Sequence, residues 1–300
     1  MRNMRNYSTR HENVRNDTTL VLDCSYLCYQ AWYTMRELSF DGLDTGIIFG
    51  FLSRVLHLAT QFNTSDIHFC WDSRHSYRKV LLPSYKEHRH AKISKAELAA
   101  KVKAKKIFTL LRKEILPAIG LVQNHVQKGC EADDLIAAIV QGRMGSFVIV
   151  SADEDLFQLL AANVKMYNPT KKIMWTPARL REEKYTSPDQ WAKLKCLMGC
   201  QSDNVKGIKG VGFVYATKYL KKVLTWGSRA ERLIKEGEKD AYDRNWILVK
   251  LPFPKTREPK NLHARNTFNE PAFIKLCKKY GMKSFMAEDK LAEWRTAWKI

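Results

Sequence analysis

GCEADDLIAAIVQGRMGSFVIVSADED, Gly129–Asp155, holds two acidic clusters on either side of a helix, a turn and a strand. Glu131, Asp133 and Asp134 form the first cluster. LIAAIV then places apolar residues at helical spacing, and Gly142 and Gly145 mark a stop. Phe147–Val150 is a short, wholly apolar run, the pattern of a strand covered on both faces. It ends at Ser151, and Asp153 and Asp155 follow. One carboxylate group therefore opens a helix, and the other lies just past the carboxyl end of a strand. In open α/β sheets that edge binds ligands. Crowded carboxylates repel unless a cation offsets them, and a divalent metal with oxygen ligands is the natural candidate.

The same pattern recurs upstream. Thr18–Leu22 reads as a strand ending at Asp23, and Ile67–Trp71 as a second ending at Asp72. A lone strand-terminal Asp is often only a turn former or helix cap. Three such strands in a parallel sheet would bring Asp23, Asp72 and Asp153 to one edge. Segments 25–35 and 46–62 have helical periodicity. Residues 164–167 and 172–175 flank Asn168-Pro169-Thr170 as a strand pair at the sheet edge.

The chain has 300 residues, 45% of them hydrophobic, enough for a real core. Lys plus Arg number 51 against 31 Asp plus Glu, a net charge of +20. That excess points to a polyanionic partner, nucleic acid above all, over a generally basic soluble protein. The charge clusters in residues 73–106, with Tyr77 and Tyr85 interleaved and only Glu87 and Glu97 opposing it. Basic side chains release counterions from phosphates and aromatics stack on bases, although a charge run also fits a solvated helix face. Ile107–Leu116 returns to a helical pattern that Pro117 is expected to end.

No apolar run approaches the ~20 residues of a membrane span. The polar segment 1–17 lacks a signal-peptide core and reads as a disordered basic tail. Seven cysteines at uneven spacing suggest buried reduced thiols; Cys24/Cys28 and Cys196/Cys200 lack the histidines that would complete a zinc site. His68, His125 and His263 read as packing or surface residues. A helix opens at Ser187-Pro188-Asp189 and ends near Gly199. Gly207, Gly210 and Gly212 punctuate the turn before a helix over 213–220, where backbone amides could meet phosphate; the turn is not a Walker loop, because no GK[ST] follows. Residues 224–300 read as mostly helical, interrupted by Pro252, Pro254 and Pro259. Trp226, Trp246, Trp294 and Trp298 read there as packing residues, and no catalytic signal stands out.

VLDCSYL, FCWD, LPSYKEHR, GCEADDLIA, VSADEDL and MGCQSDNVKGIKGVG, spread over about residues 19–222, resemble the motifs of the 5′-nucleases. That family includes flap endonucleases, the 5′→3′ exonuclease domains of bacterial DNA polymerases and, nearest in pattern, the single-domain bacteriophage 5′-nucleases. Each motif is short; their order and spacing make the joint match specific. The resemblance implies a PIN-like α/β fold: a mixed, mostly parallel sheet flanked by helices, with a helical arch and a helix–three-turn–helix element that binds duplex DNA. The expected organisation is a nuclease core over 18–185 with its basic arch at 73–106. A helical region over 186–300 would follow, with the three-turn element at about 199–222.

By position, the resemblance assigns Asp23, Asp72, Glu131, Asp133 and Asp134 to a first metal site and Asp153, Asp155 and Asp203 to a second. Both would take Mg²⁺, with Mn²⁺ as a substitute. Lys86 and Arg89 would contact the scissile phosphate from the arch that passes a single-stranded 5′ end. Arg78, Lys79 and Tyr85 in the arch region, and Lys206, Lys209, Gly210, Gly212 and Lys218 around the hairpin, are the DNA-contact candidates. K⁺ is implied at the 207–212 hairpin. Two residues depart from the family. Cys200 stands where it carries Asp, a soft donor that suits Mg²⁺ poorly and weakens the second site. Val214 stands where it often has Lys, which weakens the duplex grip. The implied activity is metal-assisted hydrolysis at 5′ ends, flaps or RNA primers in DNA replication and repair. The partners would be flapped DNA and RNA:DNA hybrid, with a replication protein beside them. The protein would be a cytoplasmic monomer, in the host cytoplasm if phage-encoded. The alternatives are a non-enzymatic, structure-selective DNA-binding protein and a ribonuclease of the related PIN type; the long basic insertion and the glycine hairpin argue against the second.

Overall fold

The computed structural model describes residues 18–87 and 94–299. The basic tail over 1–17 and Arg89 lie outside them. A six-stranded sheet runs in the spatial order Asn124–His125, Ile67–Cys70, Thr18–Asp23, Ser146–Val150, Val164–Asn168, Ile173–Trp175. The first five strands are mutually parallel, and the last pairs antiparallel with Val164–Asn168, Met166 opposite Trp175. The mixed, mostly parallel sheet expected from the apolar runs is what forms.

Both faces of the sheet are covered, which is why its strands are wholly apolar rather than alternating. Leu20, Leu22, Val148 and Val150 point into one core, against the helices Cys24–Met35, Gly46–Phe62 and Glu288–Trp298. Val21, Phe147 and Ile149 point into the other, against the helices Ala132–Gly142, Pro177–Lys184 and Pro188–Met198. The strand period of two sorts neighbouring side chains to opposite faces. Gly46–Phe62 ends where Asn63 turns left-handed (φ 48) and its N–H caps the Ala59 and Thr60 carbonyls.

Chain order reverses at the central strand. From Thr18–Asp23 the chain moves outward to Ile67–Cys70 and Asn124–His125, then crosses back to Ser146–Val150 on the other side. That reversal opens a crevice at the carboxyl ends of Thr18–Asp23 and Ser146–Val150. Three expectations need correction. Pro117 does not end its helix: the helix Lys95–Leu110 continues through a π-helical turn, Leu111–Ile115, to Leu116–Ala118, and stops one residue after Pro117 rather than before it. Trp226 is 86% exposed and Trp246 is 39% exposed, so they are surface residues; Trp294 and Trp298 are buried as expected. All seven cysteines are buried and free. Among the described residues no helix is long and apolar enough to cross a membrane.

Candidate active site

Asp23 ends the central strand and caps the helix behind it. Its Oδ1 accepts from the Tyr26 N–H at 3.0 Å and its Oδ2 from Ser151 Oγ at 3.0 Å, which ties two neighbouring strand ends together. Ser151 Oγ also accepts from the Asp153 N–H at 3.1 Å, and Asp153 Oδ1 from the Asp155 N–H at 2.8 Å. On the other side, Asp72 Oδ1 accepts from the Ala132 N–H at 2.9 Å. That bond draws the start of Ala132–Gly142, with Asp133 in its first turn, to the same edge.

The resulting crowding shows in the ionisation of the carboxyls. Burial first, then Asp72, pushes Asp23 up to about 7. Burial and then Asp153 and Asp23 hold Asp133 well above the usual carboxylate range. Asp153 rises to about 6 through burial and then Asp155; it is exposed, so water screens part of that push, while Asp23 is only 8% exposed. Asp23, Asp72, Asp133 and Asp153 thus share one cleft at the sheet crevice. They offer hard oxygen donors in a place where their charges disfavour one another, a donor set that fits a divalent cation such as Mg²⁺.

Glu131 stands at the rim. Lys86 Nζ donates to its Oε2 at 2.8 Å and Ser76 Oγ to its Oε1 at 3.1 Å. Burial alone would raise this carboxyl; Lys86 and then Arg78 outweigh it and hold it below its ordinary value. Lys86 has a left-handed backbone (φ 56), its N–H donates to the Asp203 carbonyl at 3.0 Å, and its ammonium eases the repulsion on Asp133 and Asp153. The expected phosphate-contacting lysine therefore lies beside the acidic cleft.

Three expected roles are corrected. Arg78 is not a DNA contact: it is 2% exposed, and its guanidinium donates to Asp134 at 2.7 and 2.8 Å and to the Leu248 carbonyl at 2.8 Å. Asp134 is not a metal ligand: it is fully buried, and besides Arg78 it accepts from the Glu131 and Phe253 amides, both at 2.9 Å. Its oxygens are already satisfied. Tyr85 cannot stack on bases: it is 2% exposed, with its hydroxyl 3.0 Å from Asp203 Oδ2 and 3.3 Å from Glu131 Oε2. It links the two acidic clusters instead.

Asp155, Cys200 and Asp203 converge with ligand atoms within 4.8 Å of one another. Sequence reasoning missed their neighbour, Lys195, whose Nζ lies 2.6 Å from Asp155 Oδ1 and 3.9 Å from Cys200 Sγ. The signal was a lysine set among the buried residues of Pro188–Met198, one turn after Trp191, over whose ring Nζ sits at 5.9 Å. The Cys200 thiol is raised by burial and then Asp155, and it lies 3.0 Å from Ser202 Oγ. A protonated soft donor and a carboxylate already paired with an ammonium do not fit a hard dication.

Beyond Asp203 the chain makes the short antiparallel pair Gly199–Cys200 and Val205–Lys206, then the glycine turn and the helix Phe213–Leu220. Gly207 packs so closely on the Met198–Gly199 backbone that no Cβ fits, and Gly210 has φ +84. Lys206, Lys209, Gly210, Gly212 and Lys218 are exposed around this turn, and Lys79 is exposed on the short helix Tyr77–Leu81. Asn245 Nδ2 fastens the element by donating to the Cys196 and Lys206 carbonyls, both at 2.9 Å.

Comparison with known proteins bears on this geometry. The chain is 31% identical over 245 residues to a 5′-3′ exonuclease of Aquifex aeolicus, covering 78% of this chain and 81% of that protein. It is 34% identical over 196 residues to the thermostable DNA polymerase I of Thermus aquaticus, covering 57% of this chain but 23% of the polymerase. In structure it is similar to the bacteriophage T5 flap endonuclease in a complex with DNA and metal ions, with TM-score 0.67 and 18% identity over 93% of this chain and 99% of that one. A family model described as 5′-3′ exonuclease, N-terminal resolvase-like domain, matches residues 18–186, and the chain belongs to that family.

Proposed function

We propose that this protein is a divalent-metal-dependent, structure-selective 5′-nuclease that hydrolyses phosphodiester bonds at 5′ ends, flaps or RNA primers during DNA replication and repair. The observation that carries the reading is the convergence of Asp23, Asp72, Asp133 and Asp153 at the sheet crevice, with the Lys86 ammonium at its rim. Asp23, Asp72, Asp133 and Asp153 would hold Mg²⁺, or Mn²⁺ in its stead. A bound divalent ion supplies Lewis-acid charge at the scissile phosphate and lowers the pKa of a water nucleophile.

The chain's own residues do the rest. Lys86, held by Glu131 and by its backbone bond to Asp203, offsets charge developing on the phosphate. Arg89 would act beside it. Ser151 fixes the carboxyl of Asp23 and the backbone of Asp153. The exposed lysines and glycines at 206–218, with K⁺ at the 207–212 hairpin, would grip the duplex backbone, and Lys79 would add a phosphate contact. Substrates would include flapped DNA and RNA:DNA hybrid, met by a monomer in the cytoplasm alongside a replication protein.

The test is metal-titrated cleavage of a labelled 5′-flap, a nicked duplex and an RNA-primed duplex. Asp153→Asn should abolish cleavage on all three while flap binding survives. Undiminished cleavage by that variant would reject the assignment. Cys200 and Lys195 favour one other reading, a structure-selective DNA-binding protein with a decayed centre. It requires flap binding with no hydrolysis by the wild type in Mg²⁺ or Mn²⁺.

A further inference from the structure

The second cluster contains a cation that belongs to the chain. Lys195 reaches it from the last turn of Pro188–Met198, immediately before Gly199 and Cys200. Its side chain is 13% exposed, and that of its partner Asp155 is 22% exposed, so this is not a surface lysine folded back on a neighbour. The Trp191 ring, one turn earlier, covers the ammonium. Lys195 Nζ lies 2.6 Å from the buried Asp155 Oδ1, a charge-assisted contact that occupies this oxygen. Tyr85 already donates to Asp203 on the far side of the cluster.

The charges at the cluster balance in the same sense. With a thiol at position 200, the three converging groups carry two negative charges, and the ammonium neutralises one of them. A dication among the same ligand atoms would stand within a few ångströms of that ammonium and be repelled by it. An Asp at position 200 would restore the third negative charge, but the ammonium would still stand in the dication's place. The exchange of carboxylate for thiol and the buried lysine are therefore two halves of one arrangement.

We propose that Lys195 is a tethered replacement for the second metal ion: its ammonium supplies positive charge at Asp155 and beside Cys200, and the protein binds a single catalytic divalent ion, at Asp23, Asp72, Asp133 and Asp153. The inference rests on the metal-dependent reading of the first cluster. Lys195 acts as a positioning residue. It holds Asp155, whose N–H in turn fixes Asp153 Oδ1, so the first site is oriented through the second.

The test counts Mn²⁺ ions bound to the full-length protein without DNA, by calorimetry and by electron paramagnetic resonance of the free ion. Wild type should bind one ion and Asp153→Asn should weaken it at least tenfold. Lys195→Met combined with Cys200→Asp should bind two, while Cys200→Asp alone and the charge-conserving Lys195→Arg should each stay at one. Two ions on the wild type overturn the proposal, and that count needs no variant to fold. Two ions on Cys200→Asp alone also overturn it, because the thiol and not the ammonium would then be the barrier. So does a double variant that folds and still binds one. No ion on the wild type would instead remove the metal-dependent reading on which the proposal stands.

Discussion

Asp23→Asn should make the metal-free protein more stable, and more so as pH rises. The Asp23 carboxyl ionises near 7 in the folded protein against 3.8 as its ordinary value. A folded pKa raised above the unfolded one means that the group's contribution is fully present below about 4 and is lost as pH rises through about 7. At about 1.4 kcal/mol per unit, that loss amounts to roughly 4 kcal/mol at pH 8 and about 2 kcal/mol at pH 5. Asparagine avoids it at nearly constant shape. Its oxygen can still accept from the Tyr26 N–H, and its amide can donate to Ser151 Oγ. Asp72 and Asp153 share the repulsion and relax with it, so the net gain at pH 8 should be roughly 2–4 kcal/mol. With about 2.1 cal/mol/K of unfolding entropy per residue, Tm should rise by about 3–6 °C for a chain of this length. Calorimetry in a chelating buffer at pH 5, 6.5 and 8 measures it. Saturating Mn²⁺ should reverse the order, because the wild type then gains binding free energy that the variant has lost. A variant no more stable than wild type at pH 8, or an advantage that does not change with pH, would refute the idea that these carboxylates are held together against their own repulsion.

Three further outcomes follow from the geometry. Lys86→Ala should lower single-turnover flap cleavage by about 10²–10³, the usual effect of removing one preorganised charge donor, with Kd for the flap changed far less; a loss below threefold would remove Lys86 from the chemistry. Arg78→Met strands the buried Asp134 carboxylate and should cost roughly 3–5 kcal/mol in urea unfolding, whereas Lys79→Ala should leave stability alone and reduce the salt dependence of DNA binding by about one phosphate contact. The opposite pattern would restore Arg78 to the DNA interface. Gly207→Ala forces the turn off the Met198–Gly199 backbone and should cost duplex affinity at least tenfold, while Gly142→Ala, whose Cβ would meet only the Glu258 carboxylate at 3.7 Å and which lies outside the turn, should bind as wild type does; equal affinities measured by anisotropy would mean that the turn does not hold the duplex.

The sheet was legible because its strands are buried on both faces, so each appears as an unbroken apolar run, and because an acid ends each of the runs at 18–23 and 67–72. Asp23, Asp72, Asp133 and Asp153 could be read from that pattern alone. Arg78 and Tyr85 could not. Within a run of Lys, Arg and His, a buried arginine looks like any other. What buries Arg78 is Asp134, 56 residues on, and the Leu248 carbonyl, 170 residues on. Tyr85 is likewise buried by partners at 131 and 203. Trp226 failed in the opposite sense: aromatic character suggested packing, but nothing in the sequence said which tryptophans the C-terminal helices would cover. Lys195 did leave a trace, in its spacing from Trp191 and its apolar flanks, yet a lone lysine in an amphipathic helix carries meaning only once Asp155 is known to face it.

The C-terminal region, silent as to catalysis in the sequence, proves to be what holds the first acidic cluster in place. Several of its backbone groups meet the nuclease core. The Leu248 carbonyl accepts from Arg78 Nε, the Val249 carbonyl accepts from Gln158 Nε2 at 3.0 Å, and the Phe253 amide donates to Asp134. The Phe253 ring also lies against the Arg78 guanidinium, 5.4 Å away. Asp134 in turn accepts from the Glu131 amide at the start of Ala132–Gly142, the helix that carries Asp133 and whose Ala132 N–H binds Asp72. A shift of the segment after Arg229–Val249 would therefore pass through Arg78 and Asp134 to the helix start, and from there to two of the four metal-facing carboxylates. Because Asn245 of the same helix fastens the glycine turn, one rigid element holds both the acidic cleft and the exposed lysines at 206–218. Duplex grip and bond cleavage would then be kept in register by Arg229–Val249, and loosening that helix should uncouple cleavage position from binding before it abolishes either.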